Sequence, residues 1–133
     1  MAVENVNLDA LQALDDTEPV TMVNLVRLRE VAADGRGSGW DSYQRYSVAV
    51  TPMIKSRGGT ILWAGKAEAV ALGVPSDTNW DFVVLVHYPS RAAFIDMITS
   101  REYEEDADPH RRNGVLEHVI LATRTSYSKF KDA

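Results

Sequence analysis

The sequence predicts an α+β domain of the ferredoxin-like type, in which helices cover one face of an antiparallel sheet. Its hydrophobic pattern follows the order β-α-β-β-α-β, which is the order of the split βαβ unit. The first, third and last predicted strands are apolar on both faces, so helices on one side cannot cover the whole sheet. The simplest cover for the second face is another copy of the chain, and we expect a homodimer with two sheets packed face to face.

Four elements are predicted in the first half of the chain. They are a short helix over residues 8–14, a strand over 20–29, a helix over 40–56, and a strand over 60–63 that continues over 67–72. Pro52 is expected to kink the long helix or to loosen its last turn. Gly65 is expected to mark a bend or bulge in the second strand.

The second half of the chain predicts the remaining strands and helices. They are a turn over 73–79, a strand over 80–88, a helix after Pro89-Ser90, an acidic helix over 101–107 and a strand over 115–127. Ser90 is a candidate N-cap because its hydroxyl can accept from the first free backbone amides. Pro109 is expected to stop the acidic helix.

Length, charge and cysteine content limit the function classes. The 133 residues are expected to form one domain over 1–133, with a core over about 19–127. The 14 Lys and Arg against 19 Asp and Glu give a formal net charge of −5, which argues against a general nucleic-acid binder. No apolar stretch is long enough to span a membrane, and the segment 1–4 does not open like a signal peptide. The absence of cysteine excludes thiol catalysis and is compatible with the cytoplasm, which is the predicted location.

Asn24 is the first candidate site residue. It shares a face of the first strand with Met22 and Val26, where an unpaired buried amide would cost about 1–3 kcal/mol. It therefore either contacts a ligand or bonds to backbone and neighbouring side chains within the core. Arg27 lies on the opposite face and is expected to form an ion pair, which a dimer partner could supply.

Five aromatic side chains are candidates for the wall of a pocket between sheet and helices. They are Tyr43 and Tyr46 on the long helix, and Trp63, Trp80 and Tyr88 on or beside strands. Such side chains suit a flat apolar ligand that carries hydroxyl or carbonyl groups. The Tyr46 hydroxyl is the group expected to orient a carbonyl. The alternative is an ordinary aromatic core.

Two histidines are candidate general bases. His118 alternates with Ile120 on the last strand, and His87 shares a face with Val83 and Leu85. An imidazole titrates near neutral pH and can move a proton there, although a strand histidine can equally be a satisfied structural residue. His110 follows a polar Asp-Pro pair and is expected to be solvated.

Charged residues and glycines give weaker signals. Arg91 falls in the first turn of a helix, where the dipole does not favour its charge, so an ion pair or an anion contact is expected. The pair Arg111-Arg112 could close over an acidic ligand, but exposed charge is the simpler interpretation, and the acidic run over 102–108 is interpreted as a solvated helix face. The three histidines do not have metal-ligand spacing, and the glycines over 35–39 do not fit the dinucleotide fingerprint. Neither a metal nor a cofactor is predicted.

The chain resembles the DUF1330 family of the dimeric α/β-barrel superfamily. The resemblance covers roughly residues 19–125, and its most specific parts are Asn24-Leu-Val-Arg27 on the first strand and the segment 88–94, Tyr-Pro-Ser-Arg-Ala-Ala-Phe. It implies a ferredoxin-like protomer in a dimer built around a barrel. Related branches resemble cofactor-independent monooxygenases, isomerases, polyketide cyclases and haem enzymes, and likeness of fold does not choose among them.

Three hypotheses about function follow. The first is a cofactor-independent enzyme that acts on a small aromatic, polyketide-like or lactone substrate, with His87 or His118 moving a proton. The second is a non-catalytic protein that binds a small ligand in the same pocket. The third is a dimerisation module. A cluster that holds Asn24, Tyr46 and a histidine within hydrogen-bonding reach favours the first, whereas a filled dry interior favours the third.

Overall fold

The structure is a computed structural model that describes residues 5–75 and 80–131. Its elements are α1 Leu8–Gln12, β1 Val20–Leu28, α2 Gly39–Ser56, β2 Thr60–Lys66, β3 Phe82–Tyr88, α3 Arg91–Ile98, a π-helical segment Tyr103–Ala107, α4 Asp108–Gly114 and β4 Val115–Thr123. Segment 1–4 and most of the predicted turn over 73–79 fall outside the described residues. None of the helices within these described ranges combines the length and apolar character needed to cross a membrane.

The four strands form one antiparallel sheet in the order β2-β3-β1-β4. This order and the two helical crossovers confirm the ferredoxin-like α+β prediction. The strand β1 lies in the interior of the sheet, so Asn24 has Val84 on one side and Ile120 on the other. The same register pairs Val26 with His118, so Asn24 and His118 lie on neighbouring strands and are offset diagonally by two residues.

The two faces of the sheet differ in burial, as the alternation of β1 predicts. Val20, Met22 and Val26 are buried under the helices, together with Val84 and Val86 of β3. The other face is only partly covered by the chain's own residues. We call it the open face, and its apolar members are Val23, Leu25, Trp63, Val83, Leu85, Val119 and Leu121.

The long helix α2 supplies most of the cover for the buried face. Ser38 and Asp41 form a capping box at its start, since each side chain accepts from the other residue's backbone amide. Pro52 lies within the helix, which continues to Ser56. The inward side chains, spaced by three or four residues, are Tyr43, Tyr46, Val50, Met53 and Ile54.

Several strands begin or end at residues other than the predicted ones. The second strand ends at Lys66, so its predicted continuation over 67–72 is wrong, and β3 begins at Phe82 rather than at Trp80. The reason lies at Asp81, whose carboxylate accepts from the Leu28 amide while its own backbone bonds to Val26 and Ala67. Asp81 thus fastens the end of β1 to the loop that enters β3. The last strand stops at Thr123, short of the predicted residue 127.

The largest correction concerns the segment after Tyr103. Pro109 does not stop a helix there but occupies the first turn of α4, where its missing amide proton removes no helical bond. A π-helical turn precedes it over Tyr103–Ala107. At its other end α4 packs against the start of α2 through Gly114 and Gly39, and a Cβ on Gly114 would stand 2.5 Å from the Gly39 carbonyl oxygen.

Candidate functional site

A connected set of polar side chains lies between the sheet and the helices. It comprises Asn24 on β1, Tyr46 on α2, Tyr103 at the start of the π-helical turn, Arg111 on α4 and His118 on β4, and we call it the polar cluster. Five elements therefore contribute one residue each, and the last three of them follow one another directly in the sequence. Asn24, Tyr46 and His118 are sequence-predicted site residues that the fold brings to this layer.

The sheet side of the cluster is an amide–imidazole pair. His118 Nε2 lies 2.9 Å from Asn24 Oδ1, and Asn24 Nδ2 donates to the carbonyls of Met22 and Val84, each at 3.3 Å. Arg111 Nη1 lies 3.3 Å from His118 Nδ1. A guanidinium can only donate, so Nδ1 accepts and the proton of the neutral ring is assigned to Nε2, where it donates to Asn24.

His118 is held in its neutral form. Its pKa is lowered from 6.5 to about 3, first because burial disfavours the charged ring and then because Arg111 repels it. Both ring nitrogens have partners in this arrangement. A base with such a low pKa is a weak proton acceptor at neutral pH, so His118 can take a proton only if its surroundings change.

The helix side of the cluster is a pair of phenols. The hydroxyls of Tyr46 and Tyr103 are 2.8 Å apart, and their rings meet edge to face. Burial raises the pKa of Tyr46 well above 10, and it raises that of Tyr103 to about 12 although the nearby Arg111 lowers it. Both groups therefore stay protonated at neutral pH and act as hydrogen-bond donors rather than bases.

Arg111 connects the two sides and is itself held by a buried carboxylate. Asp108 Oδ1 accepts from Arg111 Nε at 2.8 Å, and its Oδ2 lies 2.9 Å from Arg112 Nε. The Asp108 side chain is 4% exposed and that of Arg111 16%. The interpretation of Asp108 and Arg111 as exposed surface is thus corrected, because α4 turns both side chains inward.

Aromatic rings fill the layer around the cluster. Tyr43 packs on Tyr46 with ring centroids 5.8 Å apart, and it also touches Trp40 and Phe82. Burial raises the pKa of Tyr43 to about 12. Tyr88 lies elsewhere in the core, with its ring on Phe94 and its hydroxyl directed at the Met97 sulfur at 3.7 Å.

Six predicted site residues lie outside the polar cluster, namely Tyr43 and Tyr88 in the aromatic core and four others. His87 and Trp63 lie on the open face, where His87 Nδ1 is 3.4 Å from the Thr21 hydroxyl and the Trp63 indole lies over Gly65. Trp80 lines a cavity of about 370 Å³ at the end of the sheet, beside Asp81. Arg91 donates to the Leu14 carbonyl at 2.5 Å, which fixes the N-terminal segment to α3.

Sequence reasoning did not assign Tyr103 and Asp108 to the site, and it gave Arg111 only as a residue that could close over an acidic ligand. Asp108 and Arg111 have the helical spacing of three residues, but the expectation that Pro109 ends a helix conceals it. A helix that starts at Asp108 puts these two side chains on one face. Among residues 5–75 and 80–131 the side chains His, Asp and Glu form no group of three or more that could hold a metal ion.

Comparisons with known proteins identify relatives. Residues 39–124 match a family described as "Domain of unknown function (DUF1330)". The structure is similar to that of RPA0582, a protein of unknown function from Rhodopseudomonas palustris, with 31% identity, a TM-score of 0.83, and coverage of 96% of this chain and 98% of that one. The methylated RPA0582 protein gives 34% identity, a TM-score of 0.82, and coverage of 97% and 96%.

A more distant structure has the same fold. It is described as a dimeric protein of unknown function and ferredoxin-like fold from Bacteroides fragilis NCTC 9343, with 10% identity, a TM-score of 0.56, and coverage of 84% of this chain and 100% of that one. No curated protein matches the chain.

Proposed function

The chain belongs to the DUF1330 family, and we propose that it is a cofactor-independent enzyme that acts on a small aromatic, polyketide-like or lactone substrate at the polar cluster. The observation that carries this proposal is the hydrogen-bonded connection of Asn24, His118 and Arg111 with the Tyr46–Tyr103 pair inside an otherwise apolar layer. Burying polar groups is costly, and apolar side chains of similar size would fill the same space. A chemical role explains why the chain keeps them.

The groups of the cluster suit a proton transfer beside a carbonyl. Tyr46 and Tyr103 are protonated donors that can hydrogen-bond a carbonyl oxygen and stabilise the negative charge that develops there. Arg111 adds a positive charge next to that position. His118 is the group that moves the proton, and Asn24 fixes the orientation of its ring. Isomerase-type or cyclase-type chemistry needs this combination of an oxyanion site and a base.

The segment that carries Tyr103 and Asp108 supports the same proposal. Tyr103 opens a π-helical turn, and Asp108 follows its last residue. Turns of this kind are rare and occur frequently at functional sites. Tyr103 and Asp108 are both buried.

Deuterium exchange tests the proposed chemistry directly. Protein in heavy water is incubated with α-tetralone, δ-valerolactone or the anionic ketone 4-acetylbenzoate, and exchange at the carbon next to the carbonyl is followed by NMR. We expect exchange above the protein-free rate and a loss of about 10²–10³-fold for Tyr103→Phe, the magnitude typical of removing one oxyanion donor. Tyr127→Phe, on the exposed C-terminal segment, is the control and should match the parent protein. Exchange that exceeds the protein-free rate with none of the three probes would contradict the proposal.

Two competing proposals are a non-catalytic binding protein and a dimerisation module, and the tight aromatic packing is the observation that supports them. Tyr43 contacts Trp40, Tyr46 and Phe82, which is the filled interior expected of a protein whose task is assembly. The exchange experiment separates these proposals from the first one. A protein that binds these probes without accelerating the exchange of any of them would be a binding protein, and one that does neither would be a module.

We also propose that the chain works as a homodimer through its open face. Leu25, Leu85 and Leu121 belong to an apolar surface that lies only partly covered in one copy, and surfaces of this kind mark interaction sites. The B. fragilis protein of the same fold is described as dimeric. His87 and Trp63 lie on this face, so in the proposed dimer they belong to the interface. The proposed location is the cytoplasm, which the lack of cysteine favours.

A further inference from the structure

We infer that the substrate of the proposed enzyme carries an anionic group, that Arg111 binds this group, and that binding draws Arg111 away from His118 and frees the Nδ1 atom to accept a proton. The inference rests on the proposed function, because it names the substrate class of the same site. In this inference Arg111 has two roles. It selects the substrate, and it occupies Nδ1 of His118 when no substrate is bound.

The charges around the cluster call for an anion. Two guanidinium groups, those of Arg111 and Arg112, share the single carboxylate of Asp108. His118 is neutral and cannot offset either of them. The set formed by Asp108, Arg111, Arg112 and His118 therefore carries one net positive charge beside two phenol donors. An incoming carboxylate would neutralise that charge in a site of low dielectric, where such a pair is strong.

The contacts also indicate which bond gives way. The Arg111–His118 contact measures 3.3 Å, whereas the bonds of Asp108 to Arg111 and Arg112 measure 2.8 and 2.9 Å. Arg112 is 60% exposed and can remain on Asp108 when Arg111 turns toward a ligand. The Arg111 side chain is 16% exposed, so an anion would approach the cluster along the exposed part of this side chain.

Release of Arg111 would change His118 in two ways. The Nδ1 lone pair would lose its donor and could accept a proton from the substrate. The repulsion by Arg111, one of the two causes of the lowered pKa, would also decrease. The carbon–hydrogen bond of the substrate breaks, its electron pair moves toward the carbonyl oxygen held by the phenols, and the proton goes to Nδ1. Because His118 Nδ1 becomes free only when an anion binds Arg111, molecules without an anionic group would not be deprotonated efficiently.

Two probes of equal shape test the charge requirement. Benzoate and its neutral amide, benzamide, are titrated into the full-length protein, and the ring signals of His118 and the two tyrosines are followed by NMR. We expect benzoate to bind at least about tenfold more tightly than benzamide, since the amide lacks the charge that Arg111 recognises. Benzoate should also raise the measured pKa of His118. Equal affinity for the two probes, or an unchanged pKa of His118 in saturating benzoate, would overturn the inference.

A matched pair of variants assigns the effect to one side chain. Arg111→Gln should lose the preference for benzoate, while Arg101→Gln removes an exposed guanidinium that pairs with Glu105 outside the cluster and should keep it. Equal losses in both variants would overturn the assignment. The proton-transfer proposal fails separately, by the absence of exchange with 4-acetylbenzoate as well as with α-tetralone, and benzamide binding without a benzoate preference would refute only the present inference.

Discussion

At the scale of single residues, the environment of His118 turns a titratable ring into a neutral structural donor. The ring is largely buried. Its Nδ1 atom faces the guanidinium of Arg111, and its Nε2 atom faces the amide oxygen of Asn24. Each of these features disfavours the charged form or fixes one tautomer. The usual pKa of a histidine therefore says little about when this one accepts a proton.

The first prediction concerns the pH dependence of stability. The folded pKa of His118 is lowered to about 3, whereas the unfolded ring titrates near 6.5. Below pH 6.5 the unfolded chain takes up a proton that the folded chain refuses, so the free energy of unfolding falls by about 1.4 kcal/mol per pH unit until about pH 3. Urea unfolding of the parent and of His118→Gln, compared at several pH values, measures this contribution. It is lost in the variant, and parallel stability profiles would contradict the prediction.

The second prediction concerns the phenol pair. Tyr46→Phe leaves the Tyr103 hydroxyl without its 2.8 Å partner in a buried position, and Tyr103→Phe does the reverse. Each variant should lower the free energy of unfolding by about 1–3 kcal/mol. The double variant should cost less than the sum, because it leaves no unpaired phenol. Chemical denaturation of the four proteins in a double-mutant cycle gives the coupling, and simple additivity would argue against a mutual hydrogen bond.

At the scale of elements, the period of the hydrophobic residues predicted the strands well. It predicted the helical region over residues 103–114 poorly. The alternation in β1 separates Met22, Asn24 and Val26 from Val23 and Leu25, and the structure confirms that separation. Around Pro109 the sequence has no apolar period, because its inward side chains are Tyr103, Asp108 and Arg111 rather than aliphatic residues. Buried polar residues produce no apolar periodicity, so a hydrophobic pattern does not reveal them. For this reason the contribution of this region to the polar cluster was not predicted.

The third prediction concerns the contact between α2 and α4. A Cβ on Gly39 would overlap the Arg29 carbonyl oxygen and come within 2.6 Å of that of Gly114. Backbone atoms cannot move aside as a flexible side chain can, so Gly39→Ala should lower the free energy of unfolding by about 3 kcal/mol. Thermal or urea unfolding measures the loss.

Gly35→Ala provides a graded control for that prediction. A Cβ on Gly35 meets nothing within 4 Å, but its φ of 78° is costly for an alanine. It should therefore lose only about 1 kcal/mol, which is the conformational cost alone. Equal losses at the two positions would mean that backbone conformation, and not close packing, decides the first effect.

At the scale of the whole molecule, the fold could be derived from the sequence because it depends on the order of elements and on the burial of strand faces. The same reasoning reached Asn24, Tyr46 and His118, since strand and helix periodicity already turn them inward. It also put Trp63, Trp80, His87 and Arg91 in the same pocket. Periodicity within one element does not say which face a neighbouring element turns inward, and here β2 and β3 put Trp63 and His87 on the open face.

The last prediction tests what covers the open face. Leu121 on β4 pairs with Val23 and is 50% exposed in a single chain, so in a face-to-face dimer it would be buried against the partner. Leu121→Arg should put an unpaired charge into that interface and convert a species of twice 14.8 kDa into one of 14.8 kDa, as native mass spectrometry would report. Val48→Arg is the control: Val48 is 77% exposed on α2, the helix that covers the opposite face of the sheet. The interface assignment would be refuted if both variants stayed dimeric or both dissociated, because an interface on the open face must distinguish the two sides of the sheet.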